Sequence, residues 1–487
     1  MEKLKKEWFG DIKGELIAGL VVCMALIPEA IGFTIVAGVD PMVGVYSCFC
    51  ISVIISIFGG RTGMISAAAG SMALVLASLV RDYGVEYMLL ATILTGVFQV
   101  IFGFLKIGNL LKFIPKPVMI GFVNALGIMM FMAQVDHFKG SYMLLTLGAI
   151  GILIIYILPR FTKVIPSPIV AIIVISTIVL GTGMDVTSLG DMGRITSELP
   201  TFLIPDVPLN LETLKIILPY SLSLSIVGLV ESLLTAQLVD EINDDTSDKN
   251  KECVGQGLAN IVAGFFGGIA GCGMIGQTVI NQEYGGKGRL STFTAGTLML
   301  IFAIVFNKVF LRVPVVALAT VMVVVSITTF NWESLKRIKD VPITDTIVML
   351  TTVLIVLLTH NLAYGVVVGV ILSAVFFTSK ISHINVEKIV EDNKVKYICN
   401  GPLFFASTTA FINKFDYYED VKEIDIDLSH MKIWDESAVD AIDKVIIKLN
   451  KNGTKSNLIG MHRDCEKLLE KIAIHNKPNG LNVELGH

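Results

Sequence analysis

Long apolar segments, separated by short polar loops, fill roughly the first 380 positions of the chain. Most of them hold about 20 residues, the length an α-helix needs to cross the hydrocarbon layer of a bilayer. The pattern predicts fourteen membrane spans, with boundaries accurate to a few residues. The predicted spans cover about residues 15–38, 42–59, 64–81, 86–106, 117–135, 142–159, 167–181, 213–239, 253–269, 273–284, 290–308, 313–329, 345–359 and 363–379.

Two of these segments are interrupted where a span should begin. They read MISAAAGSMALVLASLV (64–80) and FFGGIAGCGMIGQTVIN (265–281), and both are rich in Gly, Ala or Ser at that point. We expect each to enter as extended chain and to become helical near Ser71 and Ile275. Irregular backbone at that depth survives only where protein covers it or where it lines a cavity.

Each interrupted segment lies two spans after an apolar helix that carries a lone glutamate, Glu29 in the first case and Glu231 in the second. This correspondence predicts an inverted repeat with halves at about 10–181 and 213–380, within a transport domain at 1–380. Paired broken helices in the two halves of a repeat indicate a transporter's substrate site.

The composition supports a polytopic membrane protein. Of 487 residues, 53% are hydrophobic and 16% are charged, with a mean hydropathy of +0.73. Soluble domains carry about 25% charged residues. Lys and Arg are concentrated in the N-terminal segment and in every second loop after it, which predicts cytoplasmic N- and C-termini. We expect a multi-pass protein of a bacterial-type plasma membrane, with the first span retained rather than cleaved as a signal peptide.

The composition changes near residue 384. Three β-like runs, VKYICNGPLFFAS, VKEIDIDLSHM and KSNLIGM, are joined and followed by helical patterns. The alternation predicts a folded cytoplasmic α/β domain at 384–487.

Five long motifs are distinctive: IPEAIGFTIVAGVDPMVGVYS, ESLLTAQLVDE, GQGLANIVAGFFGGIAGCGMIGQTVIN, GGKGRLSTFTAG and, in the tail, DLSHMKIWDESAVDAI. In this order they resemble the sulfate permease (SulP) family of anion transporters with a C-terminal STAS domain. The resemblance implies a seven-plus-seven inverted repeat with core and gate domains, elevator-like alternating access and a homodimer in the lipid bilayer. It also implies secondary active transport of a small inorganic anion, of the sulfate or bicarbonate type, held between the third and tenth spans.

The residues at these two helix starts suit an anion. A helix N-terminus carries unpaired N–H groups and about half a positive charge, and small residues let the backbone approach a ligand. Small residues also serve ordinary helix crossings, but the matched pair favours binding. The candidate substrate-binding residues are Ala69, Gly70, Ser71, Met72, Gly273, Met274, Ile275, Gly276 and Gln277.

The chain departs from the family pattern at both helix starts. Gln277 stands where many members carry an Arg, and Ala-Ala-Ala-Gly-Ser replaces a sequence that is often Gly-Pro-Thr-Gly. Both differences reduce the fixed attraction for a divalent anion.

Glu29 and Glu231 are candidate coupling residues, because a charged carboxylate at mid-membrane costs about 2.5 kcal/mol or more and usually serves a pathway. Either carboxyl can carry a proton, since burial disfavours the charged form, or it can coordinate a cation. By resemblance, Glu231 matches an acidic position that binds sodium in sodium-coupled bicarbonate members, and Thr235 could add a hydroxyl ligand on the same helix face. The structural alternative is a glutamate hydrogen-bonded to a neighbouring helix.

The sequence contains no P-loop, Ser-His-Asp grouping, nucleic-acid-binding stripe or C-x-x-C pair. We therefore expect neither an enzyme nor a nucleic-acid partner, and no cofactor apart from a coupling sodium ion or proton. Two other functions stay open: a nucleobase or organic-acid permease of the same architecture, and a membrane sensor that signals through its tail.

Ser437 is a weaker candidate, for regulation. It matches the position that is phosphorylated in STAS domains of anti-sigma-factor antagonists, here within Asp-Glu-Ser-Ala. The structural alternative is a residue of a helix N-terminus.

Overall fold

The computed structural model describes residues 2–109, 114–162, 166–192, 198–391 and 394–477. The chain divides into two compact units, Met1–Val370 and Ile371–His487.

The first half of the first unit is helical apart from one short strand. Its elements are α1 (Glu2–Phe9), α2 (Ile12–Ala37), α3 (Pro41–Phe58), β1 (Ser66–Ala68), α4 (Gly70–Tyr83), α5 (Val85–Phe104), α6 (Lys116–Val135), α7 (Tyr142–Ile157), α8 (Ser167–Thr182) and α9 (Leu189–Met192).

The second half repeats this pattern of helices around one short strand. Its elements are α10 (Leu211–Asn243), α11 (Lys249–Phe265), β2 (Gly271–Gly273), α12 (Ile275–Glu283), α13 (Leu290–Val305), α14 (Asn307–Phe310), α15 (Val315–Thr329), α16 (Trp332–Lys336), α17 (Ile343–Thr359) and α18 (Leu362–Ile381).

A helix lies in each of the apolar segments that the sequence predicted. In the described part of the chain, seven helices are long and apolar enough to cross a membrane by length and composition, and four apolar helices are shorter. Local signals set their ends. Pro41 begins α3, and Gly38 ends α2 with a φ of 74°, in the left-handed region that glycine adopts without strain.

Small residues allow the helices to pack at backbone distance. A β-carbon built on Gly96 of α5 would lie 2.4 Å from the carbonyl oxygen of Gly257 on α11, and one on Gly257 would lie 2.6 Å from that of Gly96. Larger side chains at either position would push the two helices apart. This close approach is typical of membrane helices, which associate through packing rather than through the hydrophobic effect.

The two short strands join the interrupted segments. β1 and β2 pair antiparallel, with Ser66 opposite Gly273 and Ala68 opposite Gly271. Buried side chains satisfy the remaining backbone groups: Ser52 donates to the Ser66 carbonyl oxygen at 2.8 Å, and the Asn260 amide both donates to and accepts from Gly271. Protein therefore covers this non-helical backbone, as the membrane interior requires.

The second unit contains the rest of α18 and an α/β fold. Its other elements are β3 (Asn385–Glu391), β4 (Lys394–Leu403), α19 (Thr408–Ile412), β5 (Glu423–Ile433), α20 (Glu436–Lys451), β6 (Lys455–Ile459) and α21 (Arg463–Ile472). The sheet order is β3-β4-β5-β6; β3 is antiparallel to β4, and β4, β5 and β6 are mutually parallel. The sequence predicted the three parallel strands and missed β3.

Asp443 fixes α20 to the chain that follows α21. Its buried carboxylate accepts hydrogen bonds from the N–H groups of Ile474 and His475, at 2.8 and 3.0 Å, and contacts the His475 ring. Burial alone would raise the pKa of Asp443, but the hydrogen bonds from His475 and Ile474 outweigh it and lower that pKa below its usual value.

Candidate functional site

A cavity of about 420 Å³ lies where α4 and α12 begin. Helices α2, α6, α10 and α15 complete its wall. It is lined by Glu29, Phe33, Ala69, Gly70, Phe122, Val123, Leu126, Met130, Glu231, Leu234, Met274, Ile275, Gly276, Gln277, Ile280, Val325, Thr328 and Thr329. The fold thus brings most of the predicted site residues, from both halves of the unit, to one cavity.

Backbone N–H groups are concentrated at this cavity. Those of Gly70, Ser71, Ile275 and Gly276 belong to the first turns of α4 and α12, where no intrahelical acceptor exists. Among the described residues, no other backbone group accepts a hydrogen bond from them. Two helix N-termini with free donors can hold an anion without a basic side chain.

Glycine serves two purposes here. A β-carbon at Gly70 would lie 2.8 Å from a ring carbon of Phe33, so only glycine allows α2 to approach the start of α4. A β-carbon at Gly276 would meet no heavy atom within 4 Å. Gly276 therefore leaves open space beside the first turn of α12.

Each glutamate binds the half-helix of the opposite half of the unit. The Gln277 amide of α12 donates a hydrogen bond to Glu29 of α2. The Ser71 hydroxyl of α4 donates to Glu231 of α10, with 2.5 Å between the oxygens. The two interactions are reciprocal: the first long helix of each half contacts the third predicted span of the other.

Thr235 lies behind Glu231 rather than beside its carboxylate. Its buried hydroxyl is 2.8 Å from the Glu231 backbone oxygen and 3.3 Å from the Gly273 carbonyl oxygen. The neighbouring Ser232 hydroxyl accepts a hydrogen bond from the Gly273 N–H at 2.8 Å. These contacts attach β2 to α10 and place a hydroxyl oxygen and two carbonyl oxygens close to one another.

Four of the predicted residues do not line the cavity: Ser71 and Thr235, whose contacts are given above, and Met72 and Gly273. Met72 is fully buried and packs against α10, where a β-carbon at Gly228 would lie 2.3 Å from its methyl carbon. Gly273 lies in β2, and a β-carbon there would lie 2.9 Å from the Cα of Ser232. Both residues support the half-helices from behind.

The charge of the cavity is unusual for an anion site. Its described lining includes two carboxyl groups, those of Glu29 and Glu231, and no Lys, Arg or His. An anion bound here would be attracted only by the backbone donors and the helix dipoles, and charged carboxylates would repel it.

Comparison with known proteins decides the family. A model of the sulfate permease family matches residues 12–144 and 141–352, and a STAS domain model matches residues 383–484. The chain belongs to the sulfate permease family. It is 54% identical over 472 residues to the putative sulfate transporter YbaR of Bacillus subtilis, a match that covers 96% of this chain and 99% of that protein.

More distant relatives extend the comparison. The bicarbonate transporter BicA of Picosynechococcus sp. is 24% identical over 537 residues, which is 97% of this chain and 93% of BicA. The structure of murine Slc26a9, an anion transporter, matches with a TM-score of 0.82 at 18% identity and covers 96% of this chain and 88% of that one. The similarity to Slc26a9 shows that the chain has an SLC26-like membrane fold, and a STAS domain follows it.

Ser437 is exposed in the first turn of α20. It does not cap that helix, because the Asp435 side chain accepts the capping hydrogen bond from the Ala438 N–H at 2.9 Å. Its regulatory role in this STAS domain stays a prediction.

Cys272 was not among the residues predicted from the sequence. Its thiol donates a hydrogen bond to Glu231 with 3.1 Å between sulfur and oxygen, and lies 3.8 Å from the Ser71 hydroxyl oxygen. Glu231 therefore contacts both interrupted segments of this family member. Its position could have indicated this contact, because Cys272 lies between Gly271 and Gly273 in an interrupted segment and its thiol can form hydrogen bonds.

We expect Gln277→Arg alone to change sulfate affinity little, because the new guanidinium would pair with Glu29. Combined with Glu29→Gln, it should strengthen sulfate binding by tenfold or more, since hydrogen bonds to charged groups contribute about 1.5–3 kcal/mol. Equilibrium binding of sulfate and bicarbonate to the single and double variants would measure this. Equal affinities in all forms would show that Gln277 lies away from the anion.

Proposed function

We propose that this protein is a secondary active transporter of a small inorganic anion, of the sulfate or bicarbonate type. The observation that carries the proposal is the cavity at which the N-termini of α4 and α12 converge. In its described lining, the N–H groups of Gly70, Ile275 and Gly276 have no backbone acceptor, and no side chain is basic. Its relatives include proteins named as sulfate and bicarbonate transporters.

The coupling ion is sodium or a proton, and it acts at Glu231. A carboxylate within the same cavity as the anion repels it until a cation or proton neutralises the charge. The Thr235 hydroxyl and the Gly273 carbonyl supply oxygen atoms, the ligand type that hard cations prefer, close to the backbone of Glu231. Glu29 is a secondary acidic site, neutralised in the same way.

The architecture we propose has fourteen spans in a seven-plus-seven inverted repeat, with a core domain that moves against a gate domain as an elevator. The reciprocal hydrogen bonds from Gln277 to Glu29 and from Ser71 to Glu231 support such a two-fold relation. The protein would function as a homodimer in a bacterial plasma membrane, with both termini in the cytoplasm.

Reconstitution into proteoliposomes tests this function. Labelled sulfate and bicarbonate should accumulate when an inward sodium or proton gradient is imposed, and protein-free liposomes should not respond. Nucleobases and organic acids, added as competitors, would identify a permease of another substrate class if they alone were transported. Anion binding without any flux would favour a sensor that signals through the STAS domain.

A further inference from the structure

A second cavity, of about 800 Å³, lies at the surface of the first unit and is far more apolar than the first. Its walls come from α2, α8 and the α13–α14 segment, and we refer to it as the α8–α13 groove. Ile173 and Val309 on its walls are 57% and 61% exposed. Since these residues belong to or adjoin predicted spans, exposed apolar side chains here contact the bilayer.

Two basic side chains lie at this apolar groove. Lys308 and Arg312 both line it and are exposed. In the described part of the chain, neither has a carboxylate oxygen within 4.0 Å. Another apolar groove, between α6 and α7, also has a basic residue, but that residue, Lys139, pairs with Asp136 at 2.6 Å. The α8–α13 groove thus combines an apolar wall with two uncompensated cations.

We propose that the α8–α13 groove binds an anionic phospholipid. Its phosphate pairs with Lys308 and Arg312, and an acyl chain covers the apolar wall. Lys and Arg side chains near a membrane surface attract anionic headgroups. Inorganic phosphate would leave the apolar wall uncovered, and an apolar helix of a second copy would leave both cations unpaired.

The groove and the anion cavity are lined by neighbouring residues of α2. Ile27 and Pro28 of α2 line the groove, and the next residue, Glu29, lines the anion cavity. A bound lipid therefore packs against the helix turn that carries Glu29. This consequence, unlike lipid binding itself, rests on the proposed transport function.

Native mass spectrometry of the purified full-length chain tests the binding. Phosphatidylglycerol added to the detergent-solubilised protein should be retained in preference to zwitterionic phosphatidylethanolamine. Lys308→Gln combined with Arg312→Gln should lower the retained phosphatidylglycerol by roughly tenfold or more, since each cation near the headgroup contributes to the binding of anionic lipids. Lys139→Gln is the matched control and should leave retention unchanged. Equal losses in both variants, or none, would overturn the proposal.

A second variant separates the groove from surface charge. Ile173→Trp fills the groove with an exposed side chain while both cations remain, and it should also reduce retention. If retention persists, the lipid does not use the groove.

Displacement of the lipid by millimolar inorganic phosphate, or a change in oligomeric state without lipid loss, would each identify another occupant and contradict the proposal. These readouts need no transport, so they are independent of the proposed function; slower uptake in liposomes lacking anionic lipid would then test the link to Glu29.

Discussion

Glu231→Gln is expected to abolish gradient-driven accumulation of the anion while anion binding persists. The amide mimics a protonated carboxyl, and its carbonyl oxygen can still accept the hydrogen bonds from Ser71 and Cys272. The site is then permanently neutral, so binding of the cation or proton no longer raises anion affinity. Such coupling between two ligands is typically about 1–3 kcal/mol, or 5- to 150-fold in affinity, and it is reciprocal. Anion affinity measured with and without sodium, at two pH values, would detect its loss.

The matched control is Glu212→Gln, which removes an exposed carboxylate from the first turn of the same helix, α10, and should leave coupling intact. Thr235→Val then separates the two ions. Loss of its hydroxyl should weaken the dependence on sodium and spare the dependence on protons, because only a metal ion needs that oxygen as a ligand. If Glu231→Gln still concentrates the anion against its gradient, Glu231 is not the coupling residue, and Glu29 becomes the next candidate.

Gly276→Val should weaken anion binding by about tenfold to a hundredfold, the effect of losing one or two hydrogen bonds to a charged group at about 1.5–3 kcal/mol. A β-carbon at Gly276 meets no heavy atom within 4 Å, so we expect the first unit to fold normally. Once there, the side chain occupies the space in front of the α12 N–H groups and excludes the ligand. Direct binding measurements and the thermal midpoint of unfolding, taken together, distinguish a blocked site from a damaged fold.

Gly181→Val is the control for this substitution. Gly181 lies in the last turn of α8, and a β-carbon there also meets no heavy atom within 4 Å. Gly181→Val therefore introduces the same β-branched residue at a helical position where a β-carbon also has open space, but which lies outside the anion cavity. Unchanged affinity in Gly276→Val would show that the anion does not approach the first turn of α12.

Much of the helical framework followed from local chemistry. The length of each apolar segment predicted a helix, and the Gly, Ala and Ser content predicted that α4 and α12 would begin in mid-segment, near Ser71 and Ile275; they begin at Gly70 and Ile275. Such predictions succeed because the lipid environment requires each segment to satisfy its own backbone hydrogen bonds.

The missed strand β3 shows the opposite case. Its residues, Asn385–Glu391, do not alternate strictly, since two charged residues, Glu387 and Lys388, are followed by two apolar ones, Ile389 and Val390. All of their ladder partners lie in β4. A strand without regular alternation is weakly marked in its own sequence, and the neighbour with which it pairs specifies it.

The sequence by itself determined the membrane class, the helices and the two interrupted segments, and it predicted the residues proposed to bind an anion or a coupling ion. Only the tertiary structure decided how those residues are connected. Glu29 contacts Gln277, which is 248 positions away, and Glu231 contacts Ser71, which is 160 positions away. The tertiary structure also decided that Met72 and Gly273 lie outside the cavity lining, whereas Gly276 belongs to it. The reason is physical: the propensity to form a helix is contained in each segment, whereas the partner of a buried carboxyl is chosen by the packing of helices that are distant along the chain.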